Sequence, residues 1–224
     1  MKAPPLFMLN IPQRSQGVMR SAVLFPVLVR GKNVVLATAA HTVAGIIGPY
    51  EMILSDANGQ KLPATKNPVK TMILPVGLGI DLAFLEMPMD SLPTPVKWSD
   101  QSIPKGAVLH HARNVLFRKE FEETCLVTEQ TVSPLPRRFA LSGGQYVEVF
   151  GRRGVIGGKV YKNLLRGLSM RSWPGVSGSP IWDTHGSVLG MVCGGNEELT
   201  DVEREFFLVY LPARVIRESL RLIP

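Results

Sequence analysis

The sequence predicts an all-β protein built from two β units. Short apolar segments rich in Val, Ile, Leu and Phe recur along the 224 residues, and Gly, Pro, Asn or Asp residues separate them. These segments do not alternate with helical ones, which favours a β-barrel or β-sandwich over an α/β fold. The hydrophobic content of 45% is enough for one large core or two small ones and excludes a disordered chain.

The predicted strands fall into two groups, so that each half of the chain holds about six. In the first half they are SAVLFPVLV, NVVLATAA, YEMILSD, KTMILPV and DLAFLEM. In the second half they are GAVLHHA, ETCLVTEQTV, QYVEVFG, GVIGGKVY, PIWD, SVLGMVCG and EFFLVYLP. The last segment, PARVIRESLRLI, predicts a short C-terminal helix. Pro212 suits its start, and Val215, Leu220 and Ile223 follow a helical period.

A change in composition separates the two groups. Residues 89–106 combine several prolines with mixed polar residues, which is typical of a linker. We therefore expect an N-terminal β unit at residues 1–92, a linker at 93–106 and a C-terminal β unit with the helix at 107–224. We expect no membrane span, because Pro26 interrupts the segment SAVLFPVLV and Arg30 ends it.

The N-terminus and the cysteines favour a reducing, intracellular setting. MKAPPLFMLNIPQ is broken by prolines and does not have the uninterrupted apolar region of a secretory signal. Cys125 and Cys193 are too few for a secreted disulfide framework, although a single bridge remains an alternative.

The net charge of +7 comes largely from scattered basic residues. They are Arg118, Lys119, Arg137, Arg138, Arg152, Arg153, Lys159, Lys162 and Arg166. If the fold gathers them on one face, RNA or anionic lipid would be attracted to it. A solvated surface is the favoured interpretation, because no recognised RNA-binding motif accompanies the charge.

The segment WPGVSGSPIWD, residues 173–183, has two interpretations. Its glycines, serines and prolines are typical of a surface turn. They also suit a nucleophile turn, in which small neighbours expose the hydroxyl of Ser177 and direct backbone N–H groups at the charge that its attack creates. The second interpretation requires a histidine base and a carboxylate elsewhere in the chain.

Both partners have a candidate in the first half. His41 follows the small residues of LATAA, where an imidazole fits a crowded junction. Asp81 comes directly before the apolar strand LAFLE, where a carboxylate has little water and needs a donor. The His41 imidazole is a candidate for that donor.

The motifs TAAH, DLAFLE and GVSGSP, in this order, resemble those of the chymotrypsin-like serine protease superfamily. The resemblance covers most of the chain and implies two antiparallel six-stranded β-barrels with the active site in the cleft between them. It implies that Ser177 is the nucleophile, His41 the base and Asp81 the residue that orients the base. It further implies an oxyanion hole from the N–H groups of Gly175 and Ser177, with no metal or cofactor.

The departures from secreted digestive members narrow the resemblance. Val176 stands where those enzymes carry an Asp for a newly cleaved N-terminus, so the chain should be active without such maturation. The GxSGSP box and the strand GMVCGGN look like those of sobemovirus-like, astrovirus-like, flavivirus-like and picornavirus-like processing proteases. This likeness implies that the substrate is a polypeptide, its own viral polyprotein precursor, in the host-cell cytoplasm, including its membrane-bound replication sites.

Three alternatives belong to other classes. The first is a protease-like module that also binds RNA. The second is a cellular protease of the high-temperature-requirement type, which usually has an Asn before the nucleophile and a peptide-binding domain after it, and the chain shows neither. The third is an inactive scaffold, which the presence of all three triad residues disfavours.

Alignment from the nucleophile predicts the pocket for the residue before the cut. Arg171 and Ser172 should form its base and one wall, with Val192, Cys193, Gly194 and Gly195 on the opposite strand. Val192 replaces the histidine common in Glu- or Gln-selective relatives, and Arg171 disfavours a Lys or Arg side chain. An inward Arg171 favours an acidic or amide side chain, which we prefer; an outward one leaves a modest pocket.

Other polar residues have structural interpretations. Ser179 is a weaker candidate nucleophile, because no glycine lies two residues before it. We expect His110 and His111 to form a pair with one buried and one exposed ring, since neighbouring strand residues face opposite sides. His185 should lie in an exposed turn, and Cys193 should be a small residue of the pocket wall.

Overall fold

The computed structural model describes residues 3–13, 18–44, 53–58, 60, 70–74, 80–116, 123–136, 138–140, 146–148, 154–156, 159–161, 164–195 and 207–223. Within these ranges the chain forms β-strands and two short helices, and the predicted all-β fold is therefore confirmed. No helix in the described ranges is long and apolar enough to span a membrane.

The first sheet is antiparallel and comes entirely from the first half of the chain. Its six strands are β1 (Phe7–Gln13), β2 (Val18–Arg30), β3 (Asn33–Thr38), β4 (Ile53–Asp56), β5 (Lys70–Leu74) and β6 (Leu82–Pro88). Their order across the sheet is β4, β1, β2, β3, β6, β5. Pro26 has no N–H for the ladder, and the register between β2 and β3 shifts next to it.

Strand β1 was not expected from the sequence. It pairs with β2 on one side and with β4 on the other. The prolines around FMLNIPQ hid the strand signal. Met8 and Leu9 are both fully buried although they point to opposite faces, so the segment lacks the polar alternation that marks a strand with one wet face.

The second half forms a larger sheet and two hairpins. The strands are β7 (Lys97–Trp98), β8 (Ala107–Leu116), β9 (Glu123–Val132), β10 (Pro134–Leu135), β11 (Arg138–Ala140), β12 (Tyr146–Glu148), β13 (Gly154–Ile156), β14 (Lys159–Tyr161), β15 (Arg166–Leu168), β16 (Pro180–Asp183), β17 (Ser187–Gly195) and β18 (Leu208–Pro212). The larger sheet has the order β10, β15, β18, β17, β16, β8, β9, and β7 pairs with β17. β11 pairs with β12, and β13 pairs with β14.

The segment predicted as a linker contacts both sheets. The Val96 N–H donates to the Pro26 carbonyl of β2 at 2.9 Å, and the Ser99 N–H donates to the Val188 carbonyl of β17 at 2.8 Å. Between them, β7 runs parallel to β17. The boundaries at residues 92 and 106 stay a prediction.

Two helices flank the sheets. α1 (Ala40–Val43) is a single turn after β3, so the predicted strand NVVLATAA ends at Thr38, earlier than expected. α2 (Ala213–Leu220) confirms the expected C-terminal helix and has Pro212 as its N-cap residue. It buries Val215 and Ile216 against the second sheet, whereas Ile223 lies in the turn beyond the helix.

The apolar interior connects the two halves. One cluster of buried side chains belongs to the first sheet and another to the second. A third cluster joins Phe25 and Phe84 of the first sheet to Trp182 and Met191 of the second. Because the two sheets share this cluster, residues at the border between them have fixed relative positions.

Candidate active site

Strand pairing places His41 and Asp81 at one end of the first sheet. Thr38 is the last residue of β3 and pairs with Ala83 of β6. His41 lies in α1 just after Thr38, and Asp81 directly precedes β6. Asp81 has a φ of +41°, a left-handed conformation that Asp tolerates better than most residues. The two side chains meet because their strands are neighbours in register.

The His41 imidazole connects a carboxylate to a hydroxyl. Its Nδ1 lies 2.8 Å from Asp81 Oδ2, and its Nε2 lies 3.0 Å from Ser177 Oγ. The His41 backbone N–H also donates to Asp81 Oδ1 at 2.9 Å. A carboxylate at Nδ1 favours the tautomer with its proton on that atom, which leaves Nε2 free to accept the serine proton. The His41 side chain is 43% exposed and that of Asp81 is 13% exposed, so the chain of contacts opens to solvent at the imidazole.

Ser177 lies on a turn that backbone groups of both sheets hold. Its carbonyl accepts the Val23 N–H of β2 at 3.0 Å. The next residue, Gly178, donates its N–H to the Val192 carbonyl of β17 at 2.9 Å. The serine is therefore fixed at the border between the two sheets.

Gly178 could not carry a side chain at this border. Its φ is +81°, and a Cβ atom would lie 2.2 Å from Thr38 Oγ1 and 2.3 Å from the Val23 carbonyl oxygen. Such distances are shorter than any real contact of a Cβ atom. The glycine allows the nucleophile turn to approach the first sheet.

The N–H groups of Gly175 and Ser177 are available to a substrate. Neither donates a hydrogen bond to any residue in the described part of the chain. The Gly175 carbonyl accepts the Asn114 N–H of β8 at 2.9 Å. Backbone donors that converge next to a nucleophile can bind an oxyanion.

Val176 lies between these two residues and is buried. It packs with the apolar cluster of the second sheet, and its N–H donates to the Trp173 carbonyl at 3.3 Å. An apolar residue here cannot form an ion pair with an α-amino group.

Ser179 has a structural role. It is fully buried, its Oγ accepts the Ala112 N–H of β8 at 2.8 Å, and its hydroxyl donates to the Pro180 carbonyl. A hydroxyl engaged in this way is a poor nucleophile, which removes Ser179 from the candidates.

Two of the predicted pocket residues, Ser172 and Gly195, lie against each other. Ser172 is buried, and a Cβ atom on Gly195 would lie 2.5 Å from its Cβ. The end of β17 therefore runs directly against the segment that carries Ser172. A Cβ atom on Gly194 would meet no atom within 4 Å, and Val192 is buried in the core.

Arg171 is held by its backbone and stacks on an aromatic ring. Its N–H donates to Gln130 Oε1 of β9 at 2.8 Å, and its carbonyl accepts from His111 Nε2 and Gln130 Nε2. Its guanidinium lies 5.0 Å from the centre of the Trp173 ring, and that of Arg113 lies 5.1 Å from the same centre. Two guanidinium groups therefore lie within cation–π distance of one indole ring, next to Ser172 in the chain.

The Cys193 thiol lies near the backbone of Asp81. Its Sγ lies 4.0 Å from the Asp81 carbonyl oxygen, whereas its backbone belongs to the strand that faces Ser172. Burial, together with the Asp81 charge, raises the pKa of this thiol well above its usual range. A thiol with a raised pKa is a weak nucleophile. Both cysteines are free, so the alternative of a bridge is wrong.

The expectation for the histidine pair of β8 is wrong, because both rings are fully buried. The His110 ring stacks on Trp182, and the His111 ring lies against Trp173, so both faces of this strand are covered. Burial lowers the pKa of His110, and it lowers the pKa of His111 to about 4. His185 lies in an exposed turn, as expected.

Sequence reasoning missed the polar residues behind the site, namely His111, Gln130 and Asn114. Each acts on the segment 171–177 from β8 or β9, far away in the sequence, and no motif marks them. Most of the basic pairs lie outside the described residues, so RNA binding stays a prediction. No group of three His, Cys, Asp or Glu residues in the described ranges could hold a metal ion.

No protein-family model and no curated protein matches the sequence. Solved structures do match its fold. The Rv3671c protease of M. tuberculosis in an active form aligns with a TM-score of 0.58 and 16% identity, over 97% of this chain and 80% of the other. An inactive serine-to-alanine mutant aligns with a TM-score of 0.56 and 15% identity, over 97% and 86%. Another inactive form gives 0.51 and 16%, over 96% and 88%. The likeness to these structures and the two largely antiparallel sheets show a chymotrypsin-like double β-barrel.

Proposed function

We propose that the protein is a serine endopeptidase. The observation that carries this proposal is the line of contacts from Asp81 through His41 to Ser177, with 2.8 Å and 3.0 Å at the two imidazole nitrogens. These three residue types in this arrangement form the catalytic group of serine proteases on several unrelated folds. The chymotrypsin-like fold places the same group between two barrels.

The geometry supports acyl transfer in two stages. Ser177 Oγ attacks the scissile carbonyl while its proton passes to His41 Nε2, and Asp81 stabilises the resulting imidazolium. The imidazolium then gives the proton to the leaving amine as the C–N bond breaks, which leaves an acyl-serine. Water attacks this ester with His41 again as the base, and the acid product leaves with Ser177 restored.

The developing oxyanion is the charge that the turn has to stabilise. The N–H groups of Gly175 and Ser177 are the donors on the side of the nucleophile, and both lack a protein partner among the described residues. A donor of this kind contributes about 3 kcal/mol to the transition state. No sidechain movement is needed to provide these donors.

The pocket next to the nucleophile favours a negatively charged or amide side chain before the cut. Ser172 supplies a hydroxyl, and Arg171 with Arg113 makes the adjoining surface positive. A peptide library should therefore show cleavage after Glu or Gln. Cleavage after Lys or Arg would contradict this preference, and cleavage after small residues would mean that Arg171 does not reach the substrate.

The substrate in the cell is proposed to be the precursor polypeptide that contains this chain, in a virus-infected cell. Buried Val176 supports an enzyme that does not await an ion pair with a trimmed N-terminus. Its setting would be the host cytoplasm. The sequence that flanks this chain in its precursor tests the idea: membrane spans upstream and a polymerase downstream are expected, and a secreted single-enzyme precursor would contradict it.

The activity is tested by replacing the nucleophile. Ser177→Ala should abolish cleavage of a library-selected peptide, because no other hydroxyl among the described residues is within hydrogen-bond distance of His41 Nε2. The protein should stay folded, since Ser177 lies on a turn. Ser102→Ala is the matched control, at an exposed serine of the segment between the two sheets, and should keep full activity. Equal activity in the Ser177→Ala protein would show that the nucleophile is another group.

A further inference from the structure

The backbone of Asn114 holds the turn that precedes the nucleophile. Its N–H donates to the Gly175 carbonyl at 2.9 Å. A Cβ atom on Gly175 would lie 2.1 Å from the Asn114 carbonyl oxygen, and the glycine has a φ of +85°. Gly175 therefore fits against Asn114 with no space between them, and a movement of Asn114 must move Gly175.

The side chain of Asn114 reaches the other sheet. Its Nδ2 donates to Asn10 Oδ1 of β1 at 3.0 Å and approaches the Leu9 carbonyl at 3.4 Å. Both asparagines are buried, with exposed fractions of 2% for Asn114 and 0% for Asn10. The amide pair thus connects β1, near the start of the chain, to the strand that holds Gly175.

The pair of asparagine side chains contributes less to the stability of the fold than an apolar pair would. Asn10 Nδ2 and Asn114 Oδ1 are buried and have no hydrogen-bond partner in the described part of the chain. Two apolar residues of similar size would avoid this unpaired polarity. Polar pairs that persist in such places can fix one relative position of two elements, because a displaced pair loses its hydrogen bond.

Gly175 supplies one of the two oxyanion donors in the proposed function, and buried Val176 offers no charge that could anchor the turn. We propose that Asn114 is a positioning residue for the turn at residues 175–177. Its side-chain hydrogen bond to Asn10 makes β1 part of this support. The inference rests on the proposed endopeptidase function. It gives the turn an anchor that is present in the folded chain without any ion pair.

Loss of the hydrogen bond between the Asn114 and Asn10 side chains should weaken stabilisation of the transition state more than binding of the substrate. The N–H of Gly175 meets full negative charge only after attack, so a displaced donor lowers kcat and leaves KM nearly unchanged. A small displacement of a catalytic donor lowers the rate by roughly tenfold or more. We therefore expect kcat of Asn114→Ala and of Asn10→Ala to fall by roughly tenfold each.

The test is a double-mutant cycle on a library-selected peptide. If both residues act through one bond, the double variant should lose no more than either single variant. A peptide boronic acid should bind more weakly by the same factor as kcat falls, because its adduct with Ser177 uses the oxyanion donors. A cleaved product peptide should bind as it does to the wild type, which a general loss of structure would not allow.

Asn33→Ala is the matched control. Its amide donates to Glu86 within the first sheet, at the end of β3 remote from His41, and this variant should keep the wild-type kcat. If an alanine variant unfolds, Asn114→Ser and Asn10→Ser are compared by the same criteria. The inference would be overturned if the double variant lost kcat by the product of the two single losses, or if Asn114→Ala kept the wild-type kcat. A wild-type protein that cleaves no peptide would instead contradict the proposed function.

Discussion

His41 and Asp81 are positioned by a different kind of structure from Ser177. His41 lies in α1 just after β3, Asp81 lies just before β6, and the β3–β6 register brings both to one end of a sheet. Ser177 lies on a turn that depends on β2, β8 and β17, which are remote from one another in sequence. The base and its carboxylate thus depend on the pairing of two strands within one sheet, whereas the nucleophile depends on how the two sheets assemble.

This difference separates chemical effects from structural ones. An isosteric change at Asp81 should alter the reaction and leave the fold intact, since its side chain serves His41. A side chain added at Gly178 should alter both, because it would clash with the first sheet at the border between the sheets. Three predictions test this contrast, from the largest expected effect to the smallest.

Asp81→Asn should lower kcat by about 10⁴-fold, the size of the effect of the same change in a serine protease triad. The Asn amide would donate to His41 Nδ1 and force the proton of the neutral ring onto Nε2. The protonated Nε2 can then no longer accept the proton of Ser177. Steady-state kinetics and a thermal unfolding curve give the two readouts, and the melting temperature should change little.

Asp56→Asn is the control for this change. Asp56 accepts backbone N–H groups in a turn of the first sheet, and the variant should retain full activity. If Asp81→Asn retained activity within tenfold of the wild type, Asp81 would not orient the base.

Gly178→Ala should lower the free energy of unfolding by roughly 4 kcal/mol and abolish activity. The new methyl group would meet Thr38 Oγ1 and the Val23 carbonyl at less than 2.5 Å, and the positive φ adds strain. Chemical denaturation measures the loss.

Gly31→Ala is a matched control with a positive φ of +57° but no atom within 4 Å of the new methyl group. It should lower the free energy of unfolding by about 1 kcal/mol and leave kcat unchanged. Equal losses in the two variants would mean that the contact between the turn and the first sheet is unimportant.

His111 should make the pocket segment sensitive to acid. Its pKa is about 4 in the folded protein, because burial disfavours the charged ring, against an ordinary value of 6.5. The unfolded chain therefore binds more protons between these values, so stability falls as the pH is lowered from 6.5 to about 4. The full effect is about 3 kcal/mol.

His111→Gln keeps a donor for the Arg171 carbonyl but does not titrate. Unfolding curves across this range should show a shallower loss of stability for the variant than for the wild type. His110, whose pKa burial also lowers, is the same in both proteins and cancels in the comparison. Parallel curves for the two proteins would contradict the assignment.

The sequence predicts the part of the site that depends on local pattern. Asp81 before an apolar strand, His41 after small residues and Ser177 between glycines are all visible in short segments. The residues that support the nucleophile turn are not visible in this way. Asn114 and Gln130 look like ordinary strand residues, because the segment 171–177 that they contact lies far along the chain.

The fold shows the same limit. Long apolar segments gave the strands of the first sheet, whereas β1 was hidden by its prolines and by burial on both faces. Short strands such as β10 and β15 depend on partners remote in sequence and have no pattern of their own. The histidine pair was misjudged because strand alternation predicts opposite faces and cannot tell that Trp173 and Trp182 cover both.

In the proposed mechanism, His41 activates Ser177 and no other hydroxyl. A fluorophosphonate that reacts with activated serines tests it directly, with the labelled residue located by mass spectrometry of the digested protein. We expect one adduct, on Ser177, which disappears in the His41→Ala protein. An adduct on Ser179, or equal labelling of Ser177 without His41, would rule out this activation.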